Sequence, residues 1–188
     1  MRAADVGRED TVLVVGASGG LSILSVQLGR ARAARVVAVA RGAKLDRVRE
    51  CKPDAAVDSE QTDWVEQARS ALGGGADVVL DNIGGDLGEA AFALAAPGGR
   101  FSGHGTPSGR FAAVDEAEAD RRGITVTGIE RVQMSDAELT RYTDQAFVEA
   151  AAGTIAPVIG QTFPLERAAD AHAAIEGRRV FGTTLLIV

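Results

Sequence analysis

The sequence predicts an α/β fold: a doubly wound parallel sheet with helices on both faces. Strand-like and helix-like stretches alternate six times over the first 153 of its 188 residues. The strand-like stretches are continuous apolar runs such as VLVV and RVVAV. Runs of this kind are typical of strands that are buried on both faces. Helices that alternate with such strands imply right-handed crossovers and a parallel sheet.

The elements of this sheet follow one another closely along the chain. Strands are expected at 11–15, 35–40, 55–57, 76–80, 100–103 and 124–129, and helices at 20–33, 43–51, 62–72, 86–95, 114–121 and 136–152. Thr62 and Ser135 are the expected N-caps of two helices, and the glycines at 73–75 and the Pro-Gly-Gly at 97–99 are expected to end two others. The first helix is expected to place Leu21, Leu24, Leu28 and Ala31 on one face.

The last 35 residues do not continue this alternation. Residues 154–163 are β-like, residues 165–175 form an amphipathic helix pattern after Pro164, and residues 182–188 form a final apolar strand. We therefore expect one domain over residues 1–153 and a segment of a different unit over residues 154–188.

Composition excludes several classes of function. The net charge of −6, without a compensating cluster of Lys and Arg, argues against a nucleic-acid partner. The single cysteine, Cys51, cannot form an intrachain disulfide or a cysteine-rich zinc site, and His104 and His172 are too far apart in sequence to suggest a metal pair. No apolar run approaches the ~20 residues of a membrane span. The polar start predicts no signal peptide, so we expect a cytoplasmic protein.

The most informative stretch is TVLVVGASGGLS, where an apolar strand enters a glycine turn and then a helix. This geometry directs backbone N–H groups and a helix N-terminus at a phosphate. We expect the turn to bind a dinucleotide. Ser22 stands where the usual fingerprint has its last glycine, and an ordinary βα turn is the alternative. The expected cofactor-binding residues of this turn are Ala17, Ser18, Gly19, Gly20, Leu21 and Ser22.

The end of the second strand indicates which dinucleotide is bound. An NAD site has an Asp or Glu there, which hydrogen-bonds the ribose 2′-hydroxyl. This chain has Arg41, with Lys44 just beyond, and its first acid is Asp46, inside the next helix. Arg41 can bind a 2′-phosphate with two hydrogen bonds and Lys44 adds a point charge, so we expect NADP(H). The alternative is that both are solvated residues at a helix start.

Two further strand ends carry candidate cofactor ligands. Asn82 follows the fourth strand, where its side chain can hydrogen-bond a ribose or the backbone of its own turn. His104 ends the fifth strand, and packing or a ribose contact is favoured over proton transfer there. Gly105 and Thr106 are expected to line the cofactor through backbone groups. No residue is assigned a catalytic role, and His172 and Cys51 are expected to be structural and inert.

Two rival classes fail on single residues. A short-chain reductase needs a Lys four residues after its catalytic Tyr, but the only tyrosine, Tyr142, is followed there by Ala146. A methyltransferase with a similar glycine turn would need an acid after the second strand, where Arg41 stands.

Four stretches together resemble the medium-chain dehydrogenase/reductase superfamily, in its zinc-free, quinone-oxidoreductase-like branch. In order they match its nucleotide loop, fourth strand, fifth strand and C-terminal return segment: GASGGLSILSVQLGR, GADVVLDNIGG, APGGRFSGHGTPSG and VIGQTFPLERAADAHAAIEGRRVFGTTLLIV. The sequence departs from the family at Ser22 and at the turn CKPD, where Pro53 can still end a helix.

The resemblance implies an NADP(H)-dependent hydride transfer to a quinone or an activated alkene. It also implies a GroES-like catalytic domain that has no counterpart here, so the chain is expected to be an inactive fragment whose residues 154–188 pack on that domain. The alternative is a non-catalytic nucleotide-binding or interaction module. The family resemblance and the uncharged GITVTGI further predict a homodimer through strand 123–129, unless the chain's own tail covers that strand.

Overall fold

The computed structural model describes residues 4–33, 35–129, 134–178 and 180–188. The strands are β1 (Thr11–Val15), β2 (Arg35–Ala40), β3 (Ala55–Asp58), β4 (Ala76–Asp81), β5 (Ala95–Gly103), β6 (Thr125–Gly128), β7 (Ile159–Pro164) and β8 (Thr183–Ile187). The α-helices are α1 (Gly20–Arg32), α2 (Leu45–Glu50), α3 (Trp64–Leu72), α4 (Gly85–Ala93), α5 (Glu116–Arg122), α6 (Asp136–Ala151) and α7 (Ala168–Glu176).

Six strands form one parallel sheet in the order β3-β2-β1-β4-β5-β6, which confirms the predicted fold class. This is the order of a Rossmann sheet, in which ligands bind beyond the carboxyl ends of the strands where the order reverses. That reversal lies between β1 and β4. Residues 12–15 of β1 are fully buried because apolar clusters cover both faces: Val12 and Val14 belong to one cluster, Leu13 and Val15 to the other.

The face that α1 buries differs from the expected one. Leu21 is 62% exposed and Ala31 is also exposed, whereas Ser22, Ile23, Val26 and Gly29 are buried. Both sets follow helical spacing, so periodicity alone could not choose between them. Ile23 and Val26 join the apolar cluster of β1 and β2, and contact with the sheet therefore decides the face.

Among the element boundaries, the starts of α3 and β5 differ from prediction, and one predicted cap agrees. Thr62 is not the N-cap of α3, which begins after Asp63 without a side-chain cap. β5 begins at Ala95, before Pro97, and its pairing with β4 is irregular there; such an irregularity accommodates a proline that cannot donate to a sheet. Ser135 caps α6 in a capping box with Glu138, as predicted.

The tail forms a second, two-stranded sheet in which β7 and β8 run parallel, with α7 between them in the chain. Leu185, Leu186 and Ile187 on β8 are exposed. The tail also contacts the large sheet, because Phe181 is buried in the apolar cluster of β1 and β2. Among the described residues, we find no helix with the length and hydropathy of a membrane span.

Candidate functional site

The turn after β1 is shaped by two glycines. Gly16 has a φ of 74°, and a Cβ built there would lie 2.6 Å from the side chain of Ile83. A Cβ on Gly20 would collide with the hydroxyl of Thr183. Gly16 therefore requires glycine for its backbone conformation and for the close approach of Ile83, and Gly20 leaves the space that Thr183 occupies.

Backbone hydrogen bonds hold this turn in place. The N–H of Ala17 donates to the carbonyl of Val39 over 2.9 Å, and the N–H of Gly19 donates to that of Gly16 over 3.2 Å. The N–H of Gly182, from the tail, donates to the carbonyl of Ser18 over 2.9 Å. Because α1 begins at Gly20, the N–H groups of its first turn have no intrahelical acceptor and carry the positive end of the helix dipole. The turn can thus bind an anion.

A cavity of about 740 Å³ opens beside this turn. Its size is typical of small-molecule sites. Its walls come from the turn itself, the ends of β2 and β3, the loop after β4, the loop after β5 and the tail. The cavity thus lies at the carboxyl ends of the strands, where the sheet order predicts a ligand site.

Three cations line one wall of the cavity: Arg41, Lys44 and Arg178. The ammonium of Lys44 donates to the carbonyl of Val180 over 2.7 Å. Burial lowers the pKa of Lys44, and the charges of Arg41 and Arg178 lower it further, so both guanidinium groups are close enough to repel the ammonium. Arg178 also donates to the carbonyl of Pro107 over 2.7 Å and has a left-handed φ of 54°. This cluster favours an anionic ligand group.

Asp58, the last residue of β3, and Glu60 just after it lie beside the residues of this wall. Their negative charges offset part of its positive charge. Glu60 lies 4.0 Å from Arg41, both half exposed, which makes a weak ion pair. Asp58 accepts from the N–H of Glu60 and the amide of Gln61, and these hydrogen bonds hold its pKa below the ordinary value. Its carboxylate occupies the space that a Cβ on Gly42 would need. The loop after β2 is therefore packed on the end of β3.

The loop after β4 has its own internal support. The carboxylate of Asp81 is buried and accepts from the N–H groups of Ile83 over 2.9 Å and Gly84 over 3.0 Å. The amide of Asn82 donates to the carbonyl of Val15 over 3.2 Å, which ties this loop to β1. Asn82 thus hydrogen-bonds neighbouring backbone and also lines the cavity, and its contact with a ribose stays a prediction.

His104 is half-buried after β5, and its ring lies 3.2 Å from the hydroxyl of Ser102, which is buried. Burial lowers the pKa of His104, against an opposing effect of the Asp81 carboxylate. Its backbone N–H donates to the carbonyl of Asp81 over 2.7 Å. This backbone hydrogen bond connects the end of β5 to the end of β4.

Some of the predicted site residues line the cavity, and residues that were not predicted line it as well. The predicted residues among its walls are Ser18, Gly19, Gly20, Ser22, Arg41, Lys44 and Asn82. The walls do not include Ala17, Leu21, His104, Gly105 or Thr106. Ala17 lies in the turn after β1, Leu21 lies in the first turn of α1, and the other three residues follow β5. Cofactor contact by any of these residues stays a prediction.

Sequence reasoning missed the tail and the loop residues near it. Ile175, Arg178, Val180, Gly182 and Thr184 all line the cavity. They are more than 130 residues from the glycine turn, and no local pattern pairs the two. The only signal was the resemblance of the tail to a return segment.

Zinc does not fit the described part of the chain. Zinc sites need three or four His, Cys, Asp or Glu ligands. Within residues 4–33, 35–129, 134–178 and 180–188, no group of three such residues could hold a metal ion. We assign no step to a metal.

Relatives of known function align over nearly the whole chain. The chain is 29% identical over 181 residues to polyketide synthase GfsB of Streptomyces halstedii, covering 95% of this chain and 3% of that protein. It is 28% identical over 184 residues to 2-haloacrylate reductase of a Burkholderia species, covering 95% of this chain and 55% of the reductase. The chain therefore spans about half of the reductase and a small part of the synthase.

Solved structures share the fold. An NAD-dependent alcohol dehydrogenase superposes with a TM-score of 0.84 at 33% identity, covering 100% of this chain and 53% of that one. The quinone oxidoreductase of Escherichia coli, complexed with NADPH, superposes with a TM-score of 0.87 at 24% identity, covering 98% and 59%. Residues 52–186 match the family model described as zinc-binding dehydrogenase. The chain therefore belongs to this family of the medium-chain dehydrogenase/reductase superfamily and has the fold of its quinone-oxidoreductase-like cofactor-binding domains.

Proposed function

We propose that the chain is the NADP(H)-binding part of a zinc-independent oxidoreductase that transfers hydride to a quinone or an activated alkene. One observation carries the choice of cofactor. Arg41, Lys44 and Arg178 line one wall of the cavity beside the glycine turn, and no acid follows β2 where an NAD site has one.

The described residues fit such a cofactor in two places. The first turn of α1, beginning at Gly20, would hold the pyrophosphate through backbone N–H groups. The three cations would hold the 2′-phosphate, Arg41 through a two-pronged hydrogen bond and Lys44 through the two N–H groups it does not donate to Val180. Glu60 competes for Arg41 in the free protein, and a phosphate would replace this half-exposed partner.

The nicotinamide, when bound, supplies the hydride, and the protein supplies position and shielding from water. The loops after β4 and β5 are the natural neighbours of the ring, because they follow the strands on the far side of the switch point. Asp81 and Asn82 stiffen the first of these loops through their bonds to backbone. No described residue is assigned as a proton donor.

The substrate class rests on the relatives. One relative is by name a reductase of 2-haloacrylate, whose double bond is activated by a carboxylate, and others are quinone oxidoreductases. The 33% identical NAD-dependent alcohol dehydrogenase favours the other nucleotide, and its name points to a different substrate. The charges of this chain's own cavity outweigh that likeness in our proposal.

The domain assignment is part of the proposal. We propose that residues 1–153 are a dinucleotide-binding domain and that residues 154–188 complete a second unit. Two-stranded sheets are marginally stable by themselves, and β8 exposes three consecutive apolar residues, Leu185, Leu186 and Ile187. A GroES-like domain against this sheet would cover them and would supply the substrate-binding groups.

Two assays on the 188-residue chain test the proposal. NADPH is expected to saturate the chain in a fluorescence titration. The same chain is expected to oxidise NADPH with simple quinones or enones far below enzyme rates of roughly 1–1,000 per second. Absence of NADPH binding would favour a module without nucleotide function. Turnover at enzyme rates would show that the described fold is sufficient for catalysis.

A further inference from the structure

The connection between α7 and β8, residues 177–182, lies against both halves of the proposed cofactor site; residue 179 is outside the described ranges. On one side, the N–H of Gly182 donates to the carbonyl of Ser18 in the glycine turn. On the other, the carbonyl of Val180 accepts from the Lys44 ammonium over 2.7 Å. Residues 180–182 therefore bridge, through one hydrogen bond at each end, the two groups that would bind phosphates.

Phe181, between these two contacts, anchors the connection. It is 8% exposed and belongs to the apolar cluster that contains Ala17, Ala40 and Val48. The guanidinium of Arg47, on α2, lies 4.5 Å from the centre of its ring, a cation–π contact. Burial of this aromatic side chain stabilises the position of the connection in addition to the two hydrogen bonds on either side.

The hydrogen bond from Lys44 to Val180 depends on this anchored connection, because the surroundings of Lys44 disfavour a charged ammonium held in one position. The pKa of Lys44 is lowered by burial and by the neighbouring charges of Arg41 and Arg178. Long lysine side chains also have many rotamers to lose when they are held in one place. The Val180 carbonyl compensates for part of both costs, but only while residues 180–182 keep their position.

We propose that Phe181 is a positioning residue for nucleotide selectivity: it fixes the α7–β8 connection so that Val180 holds Lys44, and Arg178 adds its charge, at the 2′-phosphate subsite. This inference rests on the proposed NADP(H) function. It predicts that removal of the Phe181 ring weakens NADPH binding more than NADH binding, because NADH has no phosphate at that subsite. A purely structural role would weaken both alike.

The test measures dissociation constants of NADPH and NADH for the full chain and four variants. Phe181→Ala is expected to lower the NADPH preference by about tenfold, the scale of one charge-assisted contact. Phe181→Leu retains the apolar anchor and is expected to retain most of the preference. The control Phe147→Ala changes a 71% exposed ring on α6 and is expected to leave both constants unchanged. Arg178→Gln is expected to lower the preference without loss of the fold.

The outcomes separate this inference from the proposed function. A wild-type chain without NADPH preference refutes the cofactor choice and the positioning role together. A wild-type preference that is unchanged in Phe181→Ala refutes the positioning role alone, as does an equal loss of both affinities. Should Phe181→Ala not fold, Arg47→Met is compared with Arg49→Met, which removes the same charge from the same helix without touching Phe181. A lower NADPH preference in Arg47→Met than in Arg49→Met supports the positioning role of Phe181. Equal NADPH preferences in the two variants refute it.

Discussion

Thr183 packs against Gly20 so closely that its hydroxyl fills the space that a Cβ on the glycine would need. The contact joins the first residue of α1 to the first residue of β8, which are 163 positions apart. The start of α1 and the tail of the chain therefore pack closely against each other, and substitutions at both residues can test this contact.

Gly20→Ala is expected to destabilise the chain by about 1–3 kcal/mol, the usual cost of overpacking a close contact. The nearest conflicting atom is the threonine Oγ1, and the next atom of Thr183 is 3.3 Å from the added Cβ. Most of the cost should therefore vanish when Gly20→Ala is combined with Thr183→Ala. Chemical denaturation of the two single variants and the double variant measures this coupling. Additive free energies would contradict the contact.

Ser22→Gly is expected to tighten NADPH binding, because it brings the turn to the usual glycine fingerprint. Ser22 is 2% exposed in the first turn of α1, and its hydroxyl lies 3.6 Å from the position of a Cβ built on Gly19. Glycine in a helix costs about 0.5–1 kcal/mol in stability, which offsets part of the gain. Ser25→Gly, one turn later, carries the same helix cost without touching the glycine turn. Weaker binding in Ser22→Gly would show that the serine hydroxyl is itself a ligand.

Stability is expected to fall as the pH falls below about 6.5, partly through His104. Burial lowers the pKa of this histidine from its ordinary 6.5. In that pH range the unfolded chain therefore binds a proton that the folded chain does not, and the free energy of unfolding decreases. His104→Gln should flatten this dependence between pH 7 and the folded-state pKa, whereas His172→Gln, on the exposed side of α7, serves as control. Identical slopes for wild type and His104→Gln would contradict the assignment.

A homodimer is expected through β6, which the sheet order places at an edge with no neighbour on its outer side within the described sheet. Val126 is a poor site for a test because it packs against the core cluster of β4 and β5. Thr125 is exposed, so Thr125→Lys would set like charges near the two-fold axis with little effect on the fold. Light scattering should give a dimer for the wild type and for Thr162→Lys, and a monomer for Thr125→Lys. A monomeric wild type would refute the dimer.

The sequence was sufficient to predict those features of the structure that depend on residues close together in the chain. Ser135 and Glu138 form their capping box from side chains three residues apart, and the β1 turn follows from its glycines. It was insufficient where distant segments meet. Leu21 and Ile23 both fit a helical face, and the sheet selects Ile23. Arg178 lines the cavity and Phe181 is buried in the apolar cluster of β1 and β2, and no local periodicity encodes either placement.

We expect this cavity to select a dinucleotide by its 2′-phosphate. A calorimetric titration of the wild-type chain and Arg41→Ala with NADPH and with NADH measures this selection. The wild type is expected to bind NADPH roughly ten- to a hundredfold more tightly, as a charge-assisted contact implies, and Arg41→Ala should lose most of that difference. Equal affinity of the wild type for both nucleotides, or a preference for NADH, would refute selection by the 2′-phosphate.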